Sequence, residues 1–193
     1  AGLAEGERLE ILRGDVRRLQ ETPKLLEGVD AVVHLAGLAN DPSCDLSPDM
    51  AFDVNVESSK ELASLAVRFG VRRFVHVSSC SVYGKGVFDL LDEQSPANPV
   101  STYGKSKLDA ERAVLAFAGD GLDVVIARPA TLYGWSPRMR FDLAVNQMTA
   151  TAARQGAVTV FGGGAQWRPF VHVHDAARAL ALLVEAPAEN IRS

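Results

Sequence analysis

Three short runs of this chain, Ala31-Val32-Val33-His34-Leu35-Ala36-Gly37, Phe74-Val75-His76-Val77 and Leu122 to Ala127, are apolar without a break. A strand that does not alternate apolar with polar residues has two faces to cover, and helical patterns stand ready to cover them. Val54 to Phe69 is the best helix, with Val56, Leu62, Ala63, Leu65, Ala66 and Phe69 as its apolar positions and Gly70 at the C′ position as its stop. A second helical pattern opens at Tyr103 and runs through Leu108, Ala110, Glu111, Ala113, Val114 and Leu115. The alternation predicts the α/β class, with a doubly wound parallel sheet.

The flanks are less regular. Residues 1–8 read as a loop, Leu9 to Leu12 as a short strand, and Arg17 to Glu27 as a short helix interrupted by Pro23 and stopped by Gly28. After Pro129 the rhythm weakens. There the pattern predicts a helix over Asp142 to Gln155, a strand over Val158 to Phe161, a turn at Gly162-Gly163-Gly164, and an amphipathic helix from His174 to Glu185 closed by Pro187. The expected division is a sheet domain over 1–135 and a small C-terminal lobe over 136–193, laid on the sheet's carboxyl edge and not folding independently.

Two stretches carry chemistry. In Tyr103-Gly104-Lys105-Ser106-Lys107 a phenol and an ammonium stand four residues apart, so on a helix they share a face. A free phenol, with a pKa of about 10, is a weak base at neutral pH, and a nearby ammonium favours its ionised form. Alone, such a pair is common on ordinary surface helices. Some two dozen residues earlier, the 74–77 strand runs into Ser78-Ser79-Cys80-Ser81-Val82-Tyr83-Gly84, which puts hydroxyls at the end of a strand, where open α/β sheets bind ligands.

Composition narrows the field further. A chain of 193 residues with 47% hydrophobic and 23% charged residues is built to bury a core. A net charge of −4 without a Lys/Arg cluster leaves no footprint for nucleic acid. No apolar run is long enough for a membrane span and the N-terminus lacks the pattern of a signal peptide, so the expected location is cytoplasmic. Cys44 and Cys80 are too few for a disulfide framework and, like the four His, lack metal-ligand spacing; no metal is expected.

Together Ser-Ser-x-Ser-Val-Tyr-Gly, Tyr-Gly-Lys-Ser-Lys and, at 128–134, Arg-Pro-x-x-x-Tyr-Gly resemble the extended short-chain dehydrogenases/reductases, in particular the NAD-dependent epimerase/dehydratase family. The resemblance runs from about Asp15 to about Ala179. It implies a Rossmann-like sheet, incomplete at its N-terminus, with a substrate lobe, and NAD as cofactor, leaving NADP open. It implies Tyr103 as acid/base, Lys107 as the group that lowers the phenol's pKa and holds the nicotinamide ribose, and Ser79 as donor to the reacting oxygen. Asp15-Val16 would lie against the adenine, Leu35-Ala36-Gly37 would let the backbone approach the dinucleotide, and Asn55 and Pro129 would stand near it. Asp15 and Asn55 read equally well as helix caps. On the substrate side the resemblance points to Arg168, in Gln166-Trp167-Arg168-Pro169-Phe170-Val171-His172-Val173, as partner of a nucleotide-sugar diphosphate, with Asn146 beside it. Arg138 is a further candidate, Arg140 is expected to be solvated, and His172 to be structural. A homodimer through helices near 56–69 and 105–118 is also implied.

Two departures qualify the resemblance. The Gly-x-x-Gly-x-x-Gly loop that cradles pyrophosphate is absent from the sequence, and Gly162-Gly163-Gly164 cannot replace it because no helix follows. The chain therefore reads as beginning near the family's third strand and stopping early. Cys80-Ser81 stand where nucleotide-sugar 4,6-dehydratases carry Asp-Glu, so water elimination lacks its extra acid and base. The expected activity is epimerisation of a nucleotide sugar through a transient 4-keto sugar. The alternatives are net reduction or oxidation of a keto/hydroxy substrate, and a non-catalytic dinucleotide sensor.

Overall fold

The computed structural model describes residues 10–191 apart from 23, 86–89, 120 and 161. The predicted loop over 1–8, Leu9, Pro23 and Phe161 lie outside the described residues. The organising element is a three-stranded parallel sheet of β1 (Ala31–His34), β2 (Arg73–Val77) and β3 (Asp123–Ala127), in that order. Ala31 pairs with Arg73 and His34 with His76, while Arg73 pairs with Asp123 and Val77 with Ala127. All three strands thus end at one edge, and every loop leaving that edge opens toward the same side.

Between β1 and β2 the chain forms α1 (Asp41–Leu46), α2 (Pro48–Phe52), a single π turn over Asp53–Glu57, and α3 (Ser58–Arg68). The long helix predicted over 54–69 is therefore two segments. Gly70, at φ 70°, ends α3 as expected: its N–H donates to Val67 O (3.1 Å) and the Val71 N–H to Ala66 O (2.9 Å), the paired bonds of a Schellman cap. α4 (Thr102–Leu115) crosses back to β3, its first turn capped by Ser101 Oγ, which accepts from the Gly104 N–H at 3.1 Å. The core fills the space between this helical face and the sheet: Leu62, Ala63 and Ala66 of α3, Val114 of α4, Phe74 of β2, and Leu19, Leu26, Val71 and Leu122.

Beyond Pro129 come β4 (Thr131–Tyr133), α5 (Ala144–Gln155), β5 (Phe170–His172) and α6 (Val173–Glu185). β4 and β5 pair in parallel as a second, two-stranded sheet. α6 returns to pack on β1 and β2. There Arg73, at the start of β2, donates to the carbonyls of Leu183 (2.5 Å) and Ala186 (2.8 Å) and pairs with Asp123 (2.6 Å). A guanidinium at the C-terminal end of a helix meets carbonyls that have no partner within the helix.

Three local expectations need correction. Glu10 to Leu12 form no strand; Ile11 and Leu12 are exposed, and no strand among the described residues takes their backbone groups. The helix expected over 17–27 is a 3-10 turn, Val16–Glu21, followed by i→i+3 bonded turns that end at Gly28 (φ 74°). Val158 to Val160 are exposed and irregular, because β4 pairs with β5 instead.

Candidate active site

The carboxyl edge of β2 turns directly into the serine run. Ser79 is the N-cap of a 3-10 turn, Cys80–Tyr83: its Oγ accepts from the Ser81 N–H and donates to Ser81 Oγ, both at 3.1 Å. The turn is fastened to the neighbouring strand by the Ser78 N–H on Ala127 O (2.7 Å) and the Cys80 N–H on Pro129 O (3.1 Å). The start of α4 packs onto this turn so closely that a Cβ at Gly104 would meet Ser81 O at 2.8 Å. Glycine at 104 is therefore what lets the Tyr103 helix begin beside Ser79. The result brings the Tyr103 phenol near enough to Ser79 for the serine hydroxyl to favour its ionised form, and Lys107 follows one turn later on α4, 6% exposed. Tyr103 and Lys107 both feel the thiol of Cys44, which α1 buries against α4.

The electrostatics differ from expectation in one respect. Burial pushes the Tyr103 phenol above its usual range, and the nearby Ser79 hydroxyl pulls the other way without reversing it. The Lys107 ammonium is expected to draw the phenol down, but burial raises it instead. Burial likewise lowers Lys107 to about 8, against the opposing pull of Glu111. At neutral pH the pair is thus a phenol beside an ammonium held near its titration range. Behind them, on the same face of the sheet, lie His34 and His76, their ring centroids 5.6 Å apart, lowered by burial to about 4 and about 2. His34 Nε2 meets Ser59 Oγ at 2.9 Å, and since Ser59 donates to Asn55 O (2.6 Å), the imidazole is the donor.

Asn55 caps no helix. It sits 1% exposed in the π turn and ties two elements of the site together. Its Oδ1 accepts from the Leu38 N–H (2.8 Å), while Nδ2 donates to Leu38 O (3.1 Å) and to Ser106 Oγ (2.9 Å). Ser106 in turn donates to Tyr103 O at 2.8 Å. The loop leaving β1 is thereby held at a fixed distance from the Tyr103 helix. Gly37 faces this asparagine, where a Cβ would meet Oδ1 at 2.9 Å. β1 itself ends at His34, so Leu35, Ala36 and Gly37, read as the end of a buried strand, are exposed at the sheet's edge. Asp15 is the N-cap of the first 3-10 turn, accepting from the Arg17 N–H at 3.0 Å and paired with its guanidinium, which holds the carboxyl well below the usual range. Val16 follows it, half-buried, and the Pro129 carbonyl accepts from the Cys80 N–H of the serine turn.

Beyond β4, Asn146 Oδ1 accepts from the Gly134 N–H and Nδ2 donates to Arg140 O, both at 3.1 Å, so one side chain closes the loop between β4 and α5. Arg168 is exposed yet close enough to Cys80 to favour its thiolate, against the larger effect of burial. Arg138 is exposed. Arg140, expected to be solvated, is pinned instead: it pairs with Asp142 (2.5 Å) and donates to Ala39 O (3.1 Å) in the loop after β1, near enough to feel Tyr103. Nothing in its local sequence signals a contact with a residue a hundred positions earlier. His172 Nδ1 caps α6 by accepting from the His174 N–H at 3.3 Å, in keeping with a structural histidine. Among the described residues no group of three His, Cys, Asp or Glu could hold a metal ion, and no helix is long and apolar enough to cross a membrane.

This arrangement can be compared with known proteins. A Bacillus subtilis relative described as an uncharacterized UDP-glucose epimerase, YtcB, is 30% identical over 167 residues, 84% of this chain and 51% of its own length. UDP-glucuronic acid decarboxylase 1 of Arabidopsis thaliana is 34% identical over 186 residues, 92% of this chain and 41% of its own. Among solved structures, MoeE5 in complex with UDP-glucose and NAD superposes with a TM-score of 0.80 at 36% identity, over 91% of this chain and 58% of that one. The chain spans about half the length of the curated relatives it matches. The family model described as NAD dependent epimerase/dehydratase matches residues 2–192, and with the parallel sheet, the serine turn and the Tyr103 helix in the places described, the chain belongs to the NAD-dependent epimerase/dehydratase family.

Proposed function

We propose that the protein carrying this chain is a nucleotide-sugar epimerase that works through a transient 4-keto sugar, with Ser79, Tyr103 and Lys107 as its catalytic residues. The observation that carries the reading is the close packing of the Tyr103 helix on the Ser79 turn, with a buried lysine one turn along, at the edge where all three strands end. A carbinol carbon gives up a hydride only if its hydroxyl proton leaves at the same time. In the proposed reaction the Tyr103 oxygen receives that proton, Ser79 donates to the oxygen becoming a carbonyl, and the keto sugar turns over. The hydride returns to its opposite face while Tyr103 gives the proton back. NAD, when bound, supplies the hydride acceptor and, through its cationic nicotinamide, a charge that favours the phenolate.

The residues present suit that cofactor. Lys107 is a nearly buried ammonium with no ion-pair partner among the described residues, and ribose hydroxyls are the acceptors such a donor calls for. Leu35, Ala36 and Gly37 form an exposed margin where the chain leaves β1, and Asp15, Val16, Asn55 and Pro129 complete the proposed cofactor side. Residues 136–193 would supply the substrate side, with Arg168 and Asn146 nearest the sugar diphosphate and α6 also covering the sheet. A cytoplasmic homodimer through the surfaces of α3 and α4 belongs to the same reading.

Cys80 and Ser81 provide neither the acid nor the base that elimination of water requires, which favours epimerisation over dehydration. The test is direct. The purified natural polypeptide carrying this sequence should hold NAD and interconvert 4-epimers of a nucleotide sugar without added cofactor. Stoichiometric consumption of NAD(P)H would make it a reductase, and bound dinucleotide without any turnover would make it a sensor.

A further inference from the structure

Behind the proposed catalytic groups lies a buried polar cluster that the mechanism does not use. Arg128 is the last residue before Pro129, at the carboxyl end of β3. Its Nε donates to Glu111 Oε1 (2.9 Å) and its Nη2 to Glu111 Oε2 (2.6 Å), a bidentate pair in which Glu111 is 2% exposed. Its Nη1 donates to the Tyr83 hydroxyl at 3.0 Å, and the guanidinium lies 5.1 Å from the centre of the Tyr83 ring. Tyr83 closes the 3-10 turn whose cap is Ser79. Glu111 lies one turn beyond Lys107 on α4. One planar cation therefore touches the element that carries Ser79, the element that carries Tyr103 and Lys107, and the strand end leading to Pro129.

We infer that Arg128 is the positioning residue of this site: through Tyr83 and Glu111 it fixes the separation of the Ser79 turn from the Tyr103 helix. The inference rests on the catalytic reading above but draws on separate contacts. The clamp also has a local consequence. Residues four apart on a helix are placed to form an ion pair, yet none joins Lys107 to Glu111 among the described residues, because Arg128 occupies both carboxylate oxygens. The ammonium is left buried without a salt-bridge partner among the described residues. A lysine at 128 would keep the charge and lose the fork, so it could not hold both partners in plane.

The experiment uses Arg128→Lys and Tyr83→Phe in the natural polypeptide carrying this sequence. Tyr83→Phe keeps the ring beneath the guanidinium and removes one hydroxyl, so it carries the test if Arg128→Lys does not fold. Two readouts are taken: kcat and KM for a nucleotide-sugar substrate, and amide exchange at residues 78–84, where the Cys80 N–H bonds Pro129 O. Displacing a reacting group by a fraction of its contact distance is expected to lower kcat about 10- to 100-fold while KM stays within about twofold. Exchange should quicken at 78–84 and not in the core around Phe74. Unchanged kcat with unchanged exchange overturns the inference, as does a uniform rise in exchange with kcat and KM moving together. If the unaltered protein turns over no nucleotide sugar, the functional reading falls alone, and the exchange contrast still decides the role of Arg128.

Discussion

The two halves of this molecule are held by different means. At the carboxyl edge of the three-stranded sheet, side chains bond across elements far apart in sequence: Asn55 to Ser106, His34 to Ser59, and Arg128 to Glu111 and Tyr83. Beyond Pro129 the long-range side-chain bonds are fewer, and neither α5 nor α6 contains a fully buried residue. Trp135 and Trp167 stand 73% and 99% exposed there. A proton-transfer site needs groups fixed to within a fraction of an ångström, and buried, satisfied polar networks provide that rigidity. A surface that receives a substrate needs exposed donors and apolar area instead. The contrast predicts that substitutions in the first region act steeply, and in the second weakly.

The steepest is Tyr103→Phe. Loss of a positioned acid/base costs about 100- to 10,000-fold in rate, whereas only one hydroxyl is removed and the ring stays in place. Turnover should fall by that factor with the thermal midpoint almost unmoved, as kcat and a melting curve together will report. Activity within tenfold of the unaltered protein would remove Tyr103 from the mechanism and with it the reason for the network's rigidity.

Next comes Glu111→Ala. It leaves a guanidinium that is about four-fifths buried without its carboxylate, and breaking one side of such a pair costs about 3 kcal/mol. Equilibrium denaturation should register the loss as a lower midpoint at unchanged slope. A change below about 1 kcal/mol would mean that the cluster is far wetter than its geometry indicates.

The buried histidines give a pH effect of intermediate size. Burial lowers His76 to about 2 and His34 to about 4, so both are neutral in the folded protein where the unfolded chain has begun to bind protons, below about 6.5. The unfolded state then holds more protons, and stability is complete above about 6.5 and falls as the pH drops from there toward 4. Each histidine contributes about 1 kcal/mol of loss for each pH unit in that window. His76→Leu should flatten the dependence, since neither ring nitrogen has a partner to lose. A slope identical to that of the unaltered protein would show that His76 charges as easily folded as unfolded.

The same division governs what the sequence makes legible. β1, β2, β3 and the helices before and after β2 are readable because continuous apolar runs and 3.6-residue periods are local signals. α1 and α2, six and five residues long, are too short for a period, although Asn40 bonding the Ser43 N–H, and Ser47-Pro48, mark where they begin. β4 and β5, three residues each, exist because they pair with one another, and a partner some forty residues away leaves no local trace. In the site, Ser79, Tyr103 and Lys107 announce themselves by spacing. Asn55 does so only as a residue type, for its real partners are Leu38 and Ser106. Arg140 misleads, because charge in a sequence says nothing of the carbonyl at Ala39 that holds it.

The smallest effect expected is the one that tests the other half of the comparison. Trp167 is almost wholly exposed, one residue before Arg168 in the stretch proposed to face a nucleotide sugar. Truncating a side chain that buries nothing changes stability by no more than about 0.5 kcal/mol. Trp167→Ala should therefore leave the denaturation midpoint where it is, while KM rises if the indole covers bound substrate, since the apolar area would be buried only in the complex. A stability loss above about 1 kcal/mol would mean that Trp167 packs against protein in solution. In that event the weak cohesion assigned to the region beyond Pro129 would be wrong there, and its exposed aromatic residues would belong to a core rather than to a binding surface.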